Sequence, residues 1–167
     1  VYDDIPPTLE IKYPESNTAV NHLDVAYHIS EGLSTGQFIY TRVGGEPDPN
    51  SPVTFNLVGN ELETIFESPK VPKNPPVLQD GSIYNIVFEG VDLAMNTSKS
   101  NVIDSVKYDV TRPVITIHNP QPKSNLMGVE ISIEISEDLM DGKMVWTRTG
   151  GLKSRITRQN IPLYNEY

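Results

Sequence analysis

An all-β protein made of sandwich-like domains in series is what this sequence predicts, and three observations predict it. Apolar and polar residues alternate over short runs and never adopt a helical period. A high content of turn-formers, 14 Pro and 11 Gly, breaks those runs at regular intervals. The chain also resembles itself: displaced by 106 positions, "YDDIPPTLEI" (residues 2–11) falls on "YDVTRPVITI" (residues 108–117). The same displacement carries without a gap to "ISEGLSTGQFIYTRVGG" (residues 29–45) over "ISEDLMDGKMVWTRTGG" (residues 135–151).

A unit of about a hundred residues is longer than a solenoid repeat and has the size of a whole domain, so the copies are expected as beads in series. Residues 1–109 read as one complete sandwich with its leading linker. Residues 110–167 read as the N-terminal half of a second, stopping near the position that matches Glu61. Two explanations stay open for that half: a piece of a longer array, or a domain that borrows strands from a neighbouring chain.

Within the first copy, β-branched and aromatic runs predict seven strands, at residues 9–13, 23–29, 37–43, 53–58, 62–66, 83–90 and 102–108. In the second strand Val25, Tyr27 and Ile29 share one face, as do Ile131, Ile133 and Ile135 in the second copy, and that face is predicted to be core. The third strand brings Phe38 and Tyr40, and Met144 and Trp146, to matching positions. Tyr40 and Trp146 are the ring-bearing residues expected to organise each core. Gly36 and Gly142 are expected to turn the chain between these two strands, with Gly44 and Gly45 permitting the exit. The proline-rich residues 67–81 read as an excursion that blunts a sheet edge, or as a ligand loop.

"LQDGSIY" (residues 78–84) resembles the leucine, turn glycine and tyrosine pattern that precedes the sixth strand of fibronectin type III domains. That resemblance implies a tyrosine corner, with the Tyr84 hydroxyl bonded to upstream backbone; a plain strand-start tyrosine is the alternative. Seven strands in about a hundred residues is also the count of an immunoglobulin-like or fibronectin III-like sandwich.

With "DGSIYNIVFEGVDLAMNTS" (residues 80–98) and "YDVTRP" (residues 108–113), the chain resembles the Ig-like repeats that bacterial cell-surface and adhesin proteins carry in tandem. Such repeats close with a D-x-A-G-N-x-S stretch, matched by Asp92, Ala94, Asn96 and Ser98. They join through a D-x-T-x-P linker, matched by Asp109, Thr111 and Pro113. Met95 stands at the family's glycine, which weighs against a left-handed turn there, and Arg112 occupies a linker position that is commonly small or proline.

Chemistry is sparse. With 13 Lys and Arg against 22 Asp and Glu, the formal charge is -9, which disfavours nucleic acid and anionic membranes. No apolar run reaches the roughly 18 residues of a membrane helix, and "VYDDIPP" lacks the features of a signal peptide. The absence of Cys removes disulfides and thiolate metal sites. His22, His28 and His118 share no strand spacing and read as surface or turn residues. Glu31 with Arg42, and Glu137 with Arg148, recur once per copy and are expected to form loop-fixing ion pairs, worth about 0–1 kcal/mol when exposed.

Calcium is the one cofactor the pattern suggests. Asp3, Asp92, Asn96 and Asp109, with Asp4 beside them, are hard oxygen donors expected near the poles where beads would meet, although Asx residues capping turns in an acidic protein are the ordinary explanation for them. Tyr13, Tyr164 and Tyr167 could present rings to a carbohydrate, and "NTS" (residues 96–98) matches a glycosylation sequon.

The expectation is therefore a non-enzymatic structural or adhesive module outside a bacterial cell, part of a stalk, filament or adhesin. Its partners would be neighbouring repeats or copies, and a surface glycan or protein receptor. The alternatives are a carbohydrate-binding or spacer module of a secreted enzyme, and a filament subunit completed by a neighbour's strand.

Overall fold

The computed structural model describes residues 3–63, 66–122, 130–139, 141–147 and 158–162. It is all-β, apart from a single 3-10 turn among the described residues, and divides into two compact units, Val1–Thr111 and Arg112–Tyr167. Among the described residues no helix is long and apolar enough to cross a membrane.

The strands of the first unit are β1 (Leu9–Tyr13), β2 (Ala19–Val20), β3 (Val25–Ile29), β4 (Leu33–Gly45), β5 (Val53–Asn56), β6 (Phe66–Lys70), β7 (Ser82–Asp92), β8 (Thr97–Lys99) and β9 (Ile103–Tyr108). One sheet has the order β1-β3-β6, and the other the order β2-β9-β7-β4-β5, with β8 paired to β7. The two sheets share one core, to which β1, β3, β4, β5, β7 and β9 all contribute. Alternation does what it predicts: in β7, Tyr84, Ile86 and Phe88 are buried while the residues between them are half-exposed.

Aromatic rings fill the centre of that core. Phe38 is fully buried and stacks on Phe88 at 4.6 Å and on Phe55 at 5.1 Å. Tyr27 from the opposite sheet meets both Phe38 and Phe88 edge-on. Tyr40, also buried, meets Tyr84 edge-on at 6.3 Å. Burying one such ring contributes roughly 1.5–3 kcal/mol, so this cluster outweighs every polar contact in the unit.

Three expectations need correction. The strand expected at residues 62–66 does not start there: Gly59–Leu62 forms the 3-10 turn, and β6 begins at Phe66, taking up the first residues of the proline-rich stretch. Glu61 explains this. Its buried carboxylate accepts the amides of Val58 and Lys73, each at 2.9 Å, and its carbonyl accepts the Tyr27 hydroxyl at 2.8 Å. A buried carboxylate left without donors costs more than the local strand preference returns.

Gly36, expected to turn the chain, lies inside β4 opposite Gly90. A Cβ there would come within 3.1–3.3 Å of Leu57, Leu33 and Leu62, so the glycine serves close approach within the core. The turn around Met95 is left-handed after all, with φ +74° at Met95 itself. The carboxylate of Asp92 holds it, as described below.

In the second unit, β10 (Ile115–Asn119) pairs with β11 (Ser132–Ile135), and β12 (Lys143–Thr147) with β13 (Arg158–Pro162), both antiparallel. Gly142 lies just before β12 and is half-buried. The registers match those of the first unit at a constant displacement of 106. Leu9↔Ile29 and Ile11↔Tyr27 correspond to Ile115↔Ile135 and Ile117↔Ile133, and both pairs shift register at the next step. Likewise Phe38↔Phe55 and Tyr40↔Val53 correspond to Met144↔Ile161 and Trp146↔Gln159. Even a side-chain bond recurs: Ser30 Oγ accepts the Thr8 amide at 2.8 Å, and Ser136 Oγ the Val114 amide at 2.9 Å.

Candidate functional site

The polar residues singled out above gather at the two ends of β7. Its 11 residues separate those ends by about 33 Å, at roughly 3.3 Å per residue.

The leading pole lies at the end of β7, where the chain enters the unit. Asp92 Oδ1 accepts the backbone amides of Ala94 and Asn96, each at 2.8 Å, and Oδ2 accepts Asn96 Nδ2 at 2.9 Å. Asn96 Nδ2 also faces the Asp3 carbonyl at 3.3 Å, tying the leading linker to this turn. Burial by itself would raise the Asp92 carboxyl, but the Asn96 side chain and the amides of Asn96, Ala94 and Met95 outweigh it and hold the pKa below the usual carboxylate range. Those bonds compensate for placing Met95 in the left-handed region.

Asp3, Glu31 and Asp92 each bring a carboxylate oxygen within 4.8 Å of the others. Of the four residues expected around calcium, Asp3, Asp92 and Asn96 thus share a pole, and Glu31 joins them. Asp109 does not: it lies at the far end of the unit, paired with Lys107 Nζ at 2.6 Å and accepting the Thr111 amide at 3.2 Å. Calcium takes six to eight oxygens. Three carboxylates, one already engaged by three N–H donors, form only part of such a shell.

The trailing pole holds the chain as it leaves. Asp80 Oδ1 accepts the Val110 amide at 2.8 Å and Oδ2 the Thr111 hydroxyl at 2.6 Å, while the Gly81 amide bonds the Tyr108 carbonyl. The Thr111 hydroxyl, and after it the Val110 amide, lower the pKa of Asp80. Beside it, the Tyr84 hydroxyl accepts the Gln79 amide at 3.0 Å and donates to Asp48 Oδ2 at 2.6 Å, so the upstream backbone and a buried carboxylate share one ring. Burial, and then the bond to Asp48, raise the Tyr84 pKa. Gly45, at φ +65°, passes so close to the Gly81 carbonyl that no Cβ fits there.

The expected Glu31–Arg42 pair is absent. Leu33, two residues after Glu31, sits opposite Asp92, whereas Arg42 sits opposite Tyr84, so the length of β4 separates Glu31 from Arg42. Arg42 instead donates to the carbonyls of Gly45 and Glu46. Arg148, Tyr164 and Tyr167 lie outside the described residues. Among the histidines, His22 stacks on Tyr13 at 5.8 Å and His118 faces Glu134 at 3.0 Å, both exposed. No catalytic grouping is assembled among them.

Between the poles, the outer face of β4, β5, β7 and β8 forms an open groove of about 660 Å³, with Thr35, Gln37, Asn56, Glu89 and Lys99 in its lining. Glu89 accepts Gln37 Nε2 at 3.0 Å and pairs with Lys99 at 2.5 Å. These contacts, that of Lys99 above all, lower its pKa.

Sequence reasoning gave Glu31 the wrong partner and missed Asp48, Glu61 and Asp80. Asp80 and Asp48 sit in turn-forming "QDG" and "PDPN", where a side chain that caps its own turn is the ordinary reading, and nothing local marks a distant partner.

Compared with protein-family models, curated proteins and solved structures, the chain matches none. Its fold defines its class: an all-β protein whose first unit is a two-sheet sandwich with polar residues fixing both ends.

Proposed function

We propose that this chain is a non-enzymatic structural segment, two Ig-like sandwiches in series, from a stalk, filament or adhesin on the outside of a bacterial cell. One observation carries the reading: the first unit takes its chain in at one pole and releases it at the other, fastening it at both. The Asn96 side chain grips the incoming backbone at Asp3, and Asp80 grips the outgoing backbone at Val110 and Thr111. A domain threaded this way transmits tension along its length, which is what a bead in an end-to-end array does. The shared register at a displacement of 106 and the strand orders β1-β3-β6 and β2-β9-β7-β4-β5 support the Ig-like part of the reading.

The mechanism is mechanical. β2 near the start runs parallel to β9 at the end, pairing Ala19 with Lys107 and Val20 with Tyr108. The amides of Lys107 and Asp109 bond the carbonyls of Thr18 and Val20, each at 2.9 Å. Tension applied at the two poles pulls these parallel segments in opposite directions along their length. The bonds are therefore loaded together in shear and do not peel one at a time. Single-molecule pulling tests this: the first unit is expected to give one high-force rupture, weakened by Val20→Pro, which blocks the pairing. Gradual low-force extension would rule the reading out.

Calcium belongs to this reading only at the leading pole, where a divalent cation would relieve the repulsion among Asp3, Glu31 and Asp92. A calcium titration should then raise the melting temperature, and Glu31→Gln should abolish the rise; an unchanged melt removes the ion.

The groove favours a second reading, a carbohydrate-binding module. Its amide, hydroxyl, carboxylate and ammonium groups match the donors and acceptors of a sugar, although no ring is among its lining residues. Binding on a glycan array, lost in Gln37→Ala, would establish it; a blank array would discard it.

A further inference from the structure

The groove on the outer face of the first unit is built from two rows of side chains that run across the strands. In the first row Asn56, Gln37, Glu89 and Lys99 stand side by side on β5, β4, β7 and β8, each paired with the next in the strand register. In the second row, two residues further along, Thr35, Val91 and Thr97 are paired in the same way. Gly36 and Gly90, which lie between the rows, are buried and face the leucines of the core, so the space above them is open. Strand geometry sets the rows about 7 Å apart and makes the first of them roughly 14 Å long.

The geometry points to a neutral oligosaccharide with free vicinal hydroxyls as the ligand of this groove, laid across the strands with one hydroxyl pair on Glu89. This deepens, and rests on, the carbohydrate reading of the groove. A carboxylate offers about four lone-pair sites. On Glu89, Oε1 takes Lys99 Nζ and Oε2 takes Gln37 Nε2, which fixes the carboxylate and leaves each oxygen able to accept once more. Two adjacent hydroxyls of one sugar ring present a pair of protons to such a pair of acceptors. The Lys99 ammonium balances the Glu89 charge, so the first row is neutral as a whole, and the formal charge of -9 on the chain opposes an anionic ligand. Thr35 and Thr97 supply hydroxyls that donate and accept on the other side, and Val91 between them offers an apolar surface to the C–H face of a ring. A peptide is a poorer match: β4 and β7 are each paired on both edges here, so no backbone is free to add a strand.

The test titrates the whole chain, by calorimetry, with neutral tetrasaccharides cut from glucan, mannan and galactan, and with a tetrasaccharide of galacturonic acid, which keeps the hydroxyl pairs and adds a charge to every ring. At least one neutral sugar is expected to bind, and the charged one to bind roughly tenfold or more weakly than it. Glu89→Gln, which trades an acceptor oxygen for a donor, is expected to weaken the neutral sugar by a similar factor of about ten. Lys99→Met, at a side chain 70% exposed, leaves the core alone and is expected to weaken it as well; this variant decides the matter if Glu89→Gln does not fold. Binding of no tetrasaccharide overturns both this inference and the carbohydrate reading. Binding that the folded variant leaves unchanged, or that is as tight for the galacturonic acid sugar, overturns this inference alone and leaves the carbohydrate reading standing.

Discussion

Leu9 and Ile115 occupy the same step of the same strand pairing, yet one is buried and the other half in water. Hydrogen bonds are formed at both places, so backbone pairing does not account for the difference. A second sheet does. In the first unit β1 and β3 face β4, β7 and β9 across one core, while among the described residues of the second unit Ile115 and Ile117 lie half in water. The comparison teaches that pairing sets register, and that burial against an opposing sheet contributes most of the stability.

The strongest way to break that comparison is a core truncation in each unit. Phe88→Ala removes the ring stacked on Phe38 and is expected to cost about 3–5 kcal/mol, read by denaturant unfolding of the tyrosine near-ultraviolet signal. Met144→Ala, at the position matching Phe38, is expected to cost about 1 kcal/mol or less, read from Trp146 fluorescence. Equal losses would mean that the second unit is as fully packed as the first.

Gly36→Ala sharpens the comparison next. Its Cβ would press on three leucines at 3.1–3.3 Å, so a loss of about 1–3 kcal/mol is expected in thermal melts. A turn glycine with free space around it would show little change.

Polar anchoring is expected to matter less than either. Tyr84→Phe removes the acceptor of the Gln79 amide and leaves the Asp48 carboxylate short of a donor, for a loss of about 1–2 kcal/mol. Trp146→Phe deletes an N–H that has no partner among the described residues and should be close to neutral. If the two substitutions cost the same, the Tyr84 bonds contribute nothing beyond the ring.

Acid gives the smallest and most graded contrast. Asp80, Glu89 and Asp92, all in the first unit, have pKa values lowered on folding. The unfolded chain therefore binds more protons, so their contribution is full above the ordinary carboxylate range of about 4 and is lost as the pH falls through the lower folded values. The midpoint of unfolding followed from pH 6 downward should decline, and Asp92→Asn should flatten the decline.

Much of the fold was legible because side-chain alternation is a local signal. β1, β3, β4, β5, β7 and β9 lie where the runs of Val, Ile, Phe and Tyr place them. β2 and β8, of two and three residues, are too short to leave a period, and they pair only because β9 and β7 lie alongside. The site was less legible. Asp92 and Asn96 were found through their turn, but Glu31 was paired with Arg42 at the other pole and Asp109 was grouped with residues of the leading pole, because one-dimensional order does not say which pole a strand terminus reaches.

By itself, the sequence determined the β class, the positions of most strands and the 106-residue displacement, since each depends on neighbours a few residues apart or on likeness along the chain. Only the tertiary structure decided that Gly36 makes room for three leucines, that Glu61 holds a loop and that Met95 can be left-handed. It alone also decided which carboxylates meet. Each of those outcomes depends on atoms brought together by the packing of two sheets, and no local pattern of residues encodes that encounter.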